Sequence, residues 1–325
     1  MSELECHCCK TVNNAIVRGR AARSVCICIA TFRRGAELVR LLRSLSQLTF
    51  PKNSKVVVRI AVADNDADGS ALSTVMEAAT YLKIPISYEI EPIRGVSFAR
   101  NRAVRMAGEC DYVAFVDDDE FVEANWLDEL LNAQARHDAE VILGPVLAAF
   151  DYEPPVWLVK GRFFERPRHT TGTSVGYGRT GNALVAKGAL DRIPGPFDPA
   201  FAFSGAEDTL LFKQLLGSGT RIVWCDEAVV TEVNSASRNA MWFLKRIFGS
   251  ANSYVFCQRA LGVSGARRVS AVKGLALIGA GTLALIPSFL RGFDKTVWAC
   301  ARVARGLGHL TGALSVKHKR YKVST

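Results

Sequence analysis

Acidic residues all but disappear from the last part of this 325-residue chain. From Arg238 onward, 15 lysines and arginines stand against one acid, Asp294, whereas the preceding residues hold 26 basic and 30 acidic side chains. The net charge of +10 therefore belongs to the C-terminal segment, and a basic segment beside a near-neutral body points to nucleic acid or an anionic membrane surface. Internal repeats and low-complexity tracts are also missing, which excludes solenoids and repeat arrays. Residues 1–23 contain no apolar stretch of the kind a secretory signal needs, so they read as a loosely ordered leader. The nine cysteines are odd in number and several fall inside apolar runs. That pattern fits buried thiols in a reducing cytoplasm better than a disulfide framework. The cluster Cys6-His7-Cys8-Cys9 lacks the spacing and the second half that a zinc site requires.

What is present is an ordinary globular composition, 49% apolar and 22% charged, with room for one large α/β domain and an appendage. Residues 24–30 form a first buried run, followed by a helix with Leu38, Leu41, Leu42, Leu45 and Leu48 on one face. Residues 55–63 and 84–90 read as second and third strands, with a helix between them that ends near Leu82. A further helix over 96–107 precedes the apolar run 112–116. Strands alternating with helices at this spacing specify a mostly parallel sheet flanked by helices. Residues 141–147 read as one strand, 151–182 as a long irregular segment, 182–186 as a short strand, and a helix begins at Glu207-Asp208.

Carboxylates collect at the ends of these elements. Asp117-Asp118-Asp119 follows the run 112–116, at the sheet edge where open α/β folds bind ligands. Alternation along a strand places Asp117 and Asp119 on one side and Asp118 on the other. Two carboxylates on one side, with ligand phosphates completing the shell, suit Mg²⁺ or Mn²⁺; an acidic turn ahead of a helix reads the same way. Asp64 and Asp66 close the second strand, and Glu207-Asp208 opens a helix. Each has a purely structural alternative, as turn chemistry or as helix N-terminal charge.

Taken in order, these motifs resemble the family 2 glycosyltransferases of the GT-A fold. The matching residues are 25–32, Val62-Ala63-Asp64-Asn65, the stretch from Gly95 through Arg100-Asn101-Arg102, Phe115-Val116-Asp117-Asp118-Asp119, Thr180-Gly181-Asn182 and Gly205-Ala206-Glu207-Asp208-Thr209. The resemblance spans 24 to about 250. Thr231-Glu232, Arg238, Trp242 and Lys245-Arg246 are similar to the bacterial exopolysaccharide branch, which includes succinoglycan-type enzymes. It implies a Rossmann-like GT-A domain over 24–250, with a nucleotide-binding half at 24–120 and an acceptor-binding half at 121–250. It also implies a nucleotide-sugar donor, commonly a UDP-sugar, and inverting transfer to a glycan acceptor. Ala30, Thr31, Asp64 and Asn65 would line the nucleoside pocket. Arg94, Arg100 and Arg102 are candidate diphosphate partners, although Arg100 and Arg102 point about 200° apart on a helix. Asp118 would join the donor site, while Asp119 and Asp117 would hold Mg²⁺ or Mn²⁺, with Asp119 the more direct ligand. Asp208 would be the general base and Glu207 would orient the acceptor. This branch often carries a histidine where Thr231 stands, so a metal here would rely on carboxylates, phosphates and water.

Tyr152, Trp157, Phe163, Phe164 and Tyr177 offer an acceptor platform or plain packing under a loop. Residues 251–325 read as a basic, apolar helical tail. The uncharged run 274–290 is near the lower limit for spanning a bilayer, and Pro287 makes an interfacial helix an equal reading. Lys317-His318-Lys319-Arg320 would attract anionic lipids; a cap packed on the domain is the other reading. The tail and the resemblance together imply an enzyme on the cytoplasmic face of the cell membrane, with an acceptor carried on a polyprenyl diphosphate and no nucleic-acid partner. A nucleotidyltransferase would need a glycine-rich loop where Thr31-Phe32-Arg33-Arg34-Gly35 has one glycine. A catalytically inactive nucleotide-binding scaffold is the remaining alternative.

Overall fold

Alternating burial along one strand builds a core on each side of the sheet. In β1 (Arg23–Thr31), Val25, Ile27 and Ile29 join one hydrophobic cluster, and Cys26 and Cys28 join another, as the two-residue period of a strand requires. α1 (Gly35–Leu45) covers the first face with Leu38, Leu41, Leu42 and Leu45. After it come β2 (Val56–Asp64), α2 (Leu72–Tyr81), β3 (Ile86–Ile90), α3 (Val96–Ala107) and β4 (Tyr112–Phe115). This computed structural model describes residues 22–53 and 55–319. The leader containing Cys6, His7, Cys8 and Cys9, and Arg320 of the last basic cluster, lie outside the described residues.

β1 pairs in parallel with β2 and β4, and β2 with β3, bringing Thr31 beside Asp64 and Asp64 beside Ile90. The C-terminal ends of these strands thus share one edge. β5 (Glu120–Val122) and α4 (Trp126–His137) follow the aspartates. The expected strand over 141–147 is two strands, β6 (Val141–Leu143) and β7 (Val146–Phe150), in different sheets. Pro145 has no N–H for a ladder. Gly144 passes so near the neighbouring chain that a Cβ would lie 2.3 Å from the Ala228 carbonyl oxygen. The chain continues through α5 (Val156–Gly161), β8 (Ala183–Ala186), α6 (Lys187–Asp191), α7 (Glu207–Gly217), β9 (Ile222–Trp224) and β10 (Val230–Asn234). The main sheet runs β3-β2-β1-β4-β8-β6-β9, and a second sheet runs β5-β10-β7. β8 is antiparallel to both β4 and β6, so the main sheet is mostly parallel with one reversed strand.

Three long helices complete the chain: α8 (Ala240–Ala260), α9 (Ala266–Phe289) and α10 (Phe293–Ala313). α8 runs unbroken through residue 250 and donates from Ser253 Oγ to the Ser204 carbonyl at 2.8 Å. α10 lies between α8 and α9, with glycines at the close approaches. A Cβ on Gly312 would sit 2.8 Å from Val255 of α8, and one on Gly274 would sit 2.8 Å from the Gly306 carbonyl oxygen. Among the described residues, α9 is the one helix long and apolar enough to cross a membrane.

Candidate active site

The first station forms where β1 and β2 end. Thr31 is buried and donates from Oγ1 to Asp118 Oδ2 at 2.8 Å, tying the ends of β1 and β4 together. Asp64 is fully enclosed. Its Oδ1 accepts from the Asp66 amide, and its Oδ2 accepts from the Ala71 amide and the Tyr88 hydroxyl. Both oxygens are therefore engaged within the turn, and Asp64 shapes this pocket from beneath. Asn65 donates to the Glu91 and Ile93 carbonyls and accepts from the Gly95 amide at 2.8 Å. Arg94 bonds the Asn65 carbonyl at 3.0 Å and lies over the Phe32 ring, 3.2 Å from its centroid. Its Nε is buried with no partner among the described residues. Arg33, in left-handed backbone, pairs with Asp66 at 2.8 Å.

The second station is the aspartate turn, and the expected alternation does not hold there. β4 ends at Phe115, so the aspartates follow a turn and not a pleat. Asp117 accepts from Arg100 Nη2 at 2.7 Å. Asp118 and Asp119 instead share Arg34 Nη1, at 2.8 and 3.2 Å. Asp119 also accepts from Arg238 Nη2 at 2.7 Å. Glu120 holds the turn from behind, accepting from the Asp117 amide at 2.8 Å. Gly181 makes room for it, since a Cβ there would lie 2.7 Å from Glu120 Oε1. Asn182 bonds the Pro145 and Ala228 carbonyls and accepts from Trp126 Nε1. The Thr180-Gly181-Asn182 motif thus braces the turn from the antiparallel strand.

The third station is the start of α7. Gly205 and Ala206 both have left-handed backbone, at φ 77° and 72°. For alanine this costs about 1–2 kcal/mol, strain of a kind that collects at functional sites. It places Glu207 and Asp208 in the first helical turn. Arg100 joins the stations, donating through Nη2 to Asp117 and through Nη1 to Glu207 Oε1. Glu207 Oε2 is buried without a partner among the described residues, and burial pushes the acid up to about 7. Asp208 is half-buried; its Oδ1 accepts from the Thr209 amide at 2.6 Å.

Burial likewise pushes Asp118 up to about 6, and it raises Asp119 and Glu120 with help from neighbouring acids. Asp117 is lowered: burial opposes ionisation, and the facing Arg100 outweighs it. Glu232 of β10 bonds both Arg166 and Arg238. Asp117, Asp118, Asp119, Glu120, Glu207 and Glu232 thus stand among Arg34, Arg100, Arg166 and Arg238, and the upward shifts of Asp118, Glu120 and Glu207 reduce the negative charge that they carry together. Among the described residues no three His, Cys, Asp or Glu side chains are grouped to hold a metal by themselves. The hard carboxylate oxygens do suit a divalent cation held by one or two carboxylates and completed by substrate phosphates.

Sequence reasoning brought together Thr31, Asn65, Arg94, Arg100, Asp117–Asp119 and Glu207-Asp208. Ala30 and Arg100 line a small recess beside Asp117 and Thr180. Arg102 turns away and pairs with Glu91 and Glu89, as its angle from Arg100 requires. Arg34, Glu120 and Arg166 were missed as candidate site residues: Glu120 directly follows Asp119 and Arg34 lies three residues after Thr31, so the neighbouring motifs could have flagged both, whereas no local motif marks Arg166. The aromatics divide. Trp157 packs on Phe163 and on Phe293 of α10, and Phe163 on Phe243 and Trp298, so these rings form a seam between α5 and the tail. Tyr177 instead lines a groove of about 210 Å³ with Arg166, Arg179 and Trp224.

The sequence matches the family model of glycosyl transferase family 2 over residues 26–193. It is 33% identical over 227 residues to the succinoglycan biosynthesis protein ExoM of Rhizobium meliloti (strain 1021), covering 70% of this chain and 72% of that one. Among solved structures, GalNAc-T7 with UDP, GalNAc and Mn²⁺ is 13% identical with a TM-score of 0.51. That match covers 73% of this chain and 51% of the other, so the chain spans about half of that protein. Residues 1–349 of S. aureus TarS in complex with UDP-GlcNAc are 16% identical, with a TM-score of 0.49 over 93% of this chain and 94% of that one. At 13% identity the likeness to GalNAc-T7 is one of fold.

Proposed function

Because the chain belongs to glycosyl transferase family 2, we propose that it is an inverting hexosyltransferase of surface or exopolysaccharide biosynthesis. It moves a hexose from a nucleotide sugar, a UDP-sugar in our reading, onto a lipid-linked glycan at the cytoplasmic face of the membrane. The observation that carries this reading is the Arg100 bridge, which ties the aspartate turn to the acidic start of α7. One guanidinium thus links the expected donor side to the expected acceptor side. The biosynthetic context is taken from the ExoM relative, and the lipid-linked acceptor from the apolar tail.

In this reading the nucleoside lies against Thr31, Asn65 and Arg94, with the stacked Phe32–Arg94 pair as one wall. Asp119 and Asp117 would hold Mg²⁺ or Mn²⁺, which when bound supplies positive charge against the departing diphosphate. Asp208 takes the proton of the acceptor hydroxyl as that oxygen attacks the anomeric carbon opposite the leaving group. Glu207, fixed by Arg100 on one oxygen, offers its unpartnered Oε2 to orient the acceptor.

Purified full-length protein incubated with a panel of nucleotide sugars, lipid-linked acceptors and Mg²⁺ or Mn²⁺ tests the reading. Transfer from one donor, abolished by EDTA and restored by the metal, supports it. Nucleotide binding without turnover of any donor would favour an inactive scaffold.

A further inference from the structure

The outer face of α9 is apolar and uncovered. Val269, Val272, Leu275, Leu283, Ile286 and Phe289 are each at least 60% exposed, although leucine and phenylalanine rank among the residues most often found inside. Leu290 and Phe293 extend this surface around the turn into α10. There it meets the catalytic domain: Phe293 packs on Trp157 of α5, whose neighbours Val156 and Val159 are also exposed. Exposed basic groups flank the surface, among them Arg268, Lys273, Arg291, Lys295 and Arg302, whereas Asp294 is buried. Apolar side chains rimmed by basic ones, with no exposed acid on these two helices, complement an anionic bilayer.

The inner face of α9 decides how that contact is made. It carries Ala266, Ser270, Gly274, Gly281 and Ser288, packed against α10 along its length. Gly274 and Gly306 approach so closely that a Cβ on either would clash with the other's carbonyl oxygen, and Gly281 meets Val303 in the same way. α10 in turn is held to α8 by Asn252–Thr311 at 2.9 Å and to α5 by Trp298 Nε1 donating to the Gly161 carbonyl at 2.9 Å. A 24-residue helix is about 36 Å long, enough to cross a bilayer. Crossing while packed would carry Arg302 and Arg305 of α10 into hydrocarbon, at roughly 2.5–3.5 kcal/mol for each charge at the centre. Crossing alone would strip α9 from α10.

We infer that α9 does not cross the membrane: it lies in the plane of one anionic leaflet, clasped by α10, with the turn at Leu290 and the exposed valines of α5 in the same contact. This rests on the membrane placement proposed above, and it brings the catalytic domain itself onto the lipid surface.

Lys273 and Lys295 bracket the apolar run and give the test. Full-length protein is bound to sealed vesicles of phosphatidylcholine with about one-third phosphatidylglycerol. An impermeant amine-reactive reagent is then added outside, and labelling at the two lysines is read by mass spectrometry. The inference predicts flotation with these vesicles, at least tenfold weaker binding to pure phosphatidylcholine, and labelling of both lysines from outside. It also predicts that Ile286→Asp and Val156→Asp each weaken binding while the protein stays folded and monomeric. Labelling of one lysine until the vesicles are opened would mean that α9 spans, which overturns the inference and keeps the membrane placement. Absence of flotation with either lipid overturns both. A lipid-free dimer broken by Ile286→Asp, without vesicle binding, would instead assign the face to a second copy and also overturns the inference.

Discussion

Arg100 Nη2 lies 2.7 Å from Asp117 Oδ1, and the same guanidinium bonds Glu207 through its other terminal nitrogen. A rigid fork that serves two carboxylates at once is a task suited to arginine. Arg100 belongs to α3, Asp117 follows β4 and Glu207 begins α7, so one side chain sets the spacing among three separate elements.

Arg100→Ala should therefore lower kcat by about 100-fold, through misplacement of groups on both sides of the reaction. It should also lower the melting temperature, since the buried Glu207 loses its counter-charge. Arg100→Lys should recover only part of the rate, because an ammonium lacks the planar fork that bonds both carboxylates at once. Steady-state donor turnover and thermal melts of the three proteins check this; full activity in Arg100→Lys would deny the bridge its role.

Gly144 gives a prediction about the fold alone. A Cβ there would lie 2.3 Å from the Ala228 carbonyl oxygen and 2.4 Å from Asn182 Nδ2, so Gly144→Ala should destabilise by about 1–3 kcal/mol. Gly188 of α6, where a Cβ would meet nothing, is the contrast, and Gly188→Ala should be neutral or stabilise by up to about 1 kcal/mol. Urea unfolding of both variants measures the difference.

The tail predicts a dependence on pH. His309 of α10 is buried, and burial, with Lys273 of α9 and Arg305 adding positive charge, lowers it to about 4. Tyr254 of α8 faces it edge-on, with ring centroids 6.2 Å apart. Its folded value lies below the unfolded value of roughly 6.5. The stabilisation from keeping it neutral is therefore fully present above pH 6.5 and is lost as pH falls towards 4. Melting temperatures from pH 8 to 4 should fall more steeply for the wild type than for His309→Leu. Parallel curves would contradict this.

The sequence was most legible where structure is local. β1, β2 and α3 follow from apolar runs and helical period, and their burial agrees. Pairing between distant segments was not legible: nothing in residues 183–186 announces that β8 runs antiparallel between β4 and β6. At Gly144-Pro145 an apolar run hid a change of sheet, which the proline alone could have signalled. Acidic motifs placed the three stations, but their arginine partners lie far apart in the chain. Arg34 and Arg238 meet at Asp119 by virtue of the fold, which no spacing rule encodes. Trp157 and Phe163 looked suited to sugar because ring composition alone does not say which face is covered, and α10 covers theirs.

If Asp208 takes the acceptor proton at the start of α7, single-turnover transfer by Asp208→Asn should fall by about 10²–10⁴-fold, with nucleotide affinity, measured in parallel, unchanged. Transfer at the wild-type rate by Asp208→Asn would contradict this and move the base elsewhere in the site.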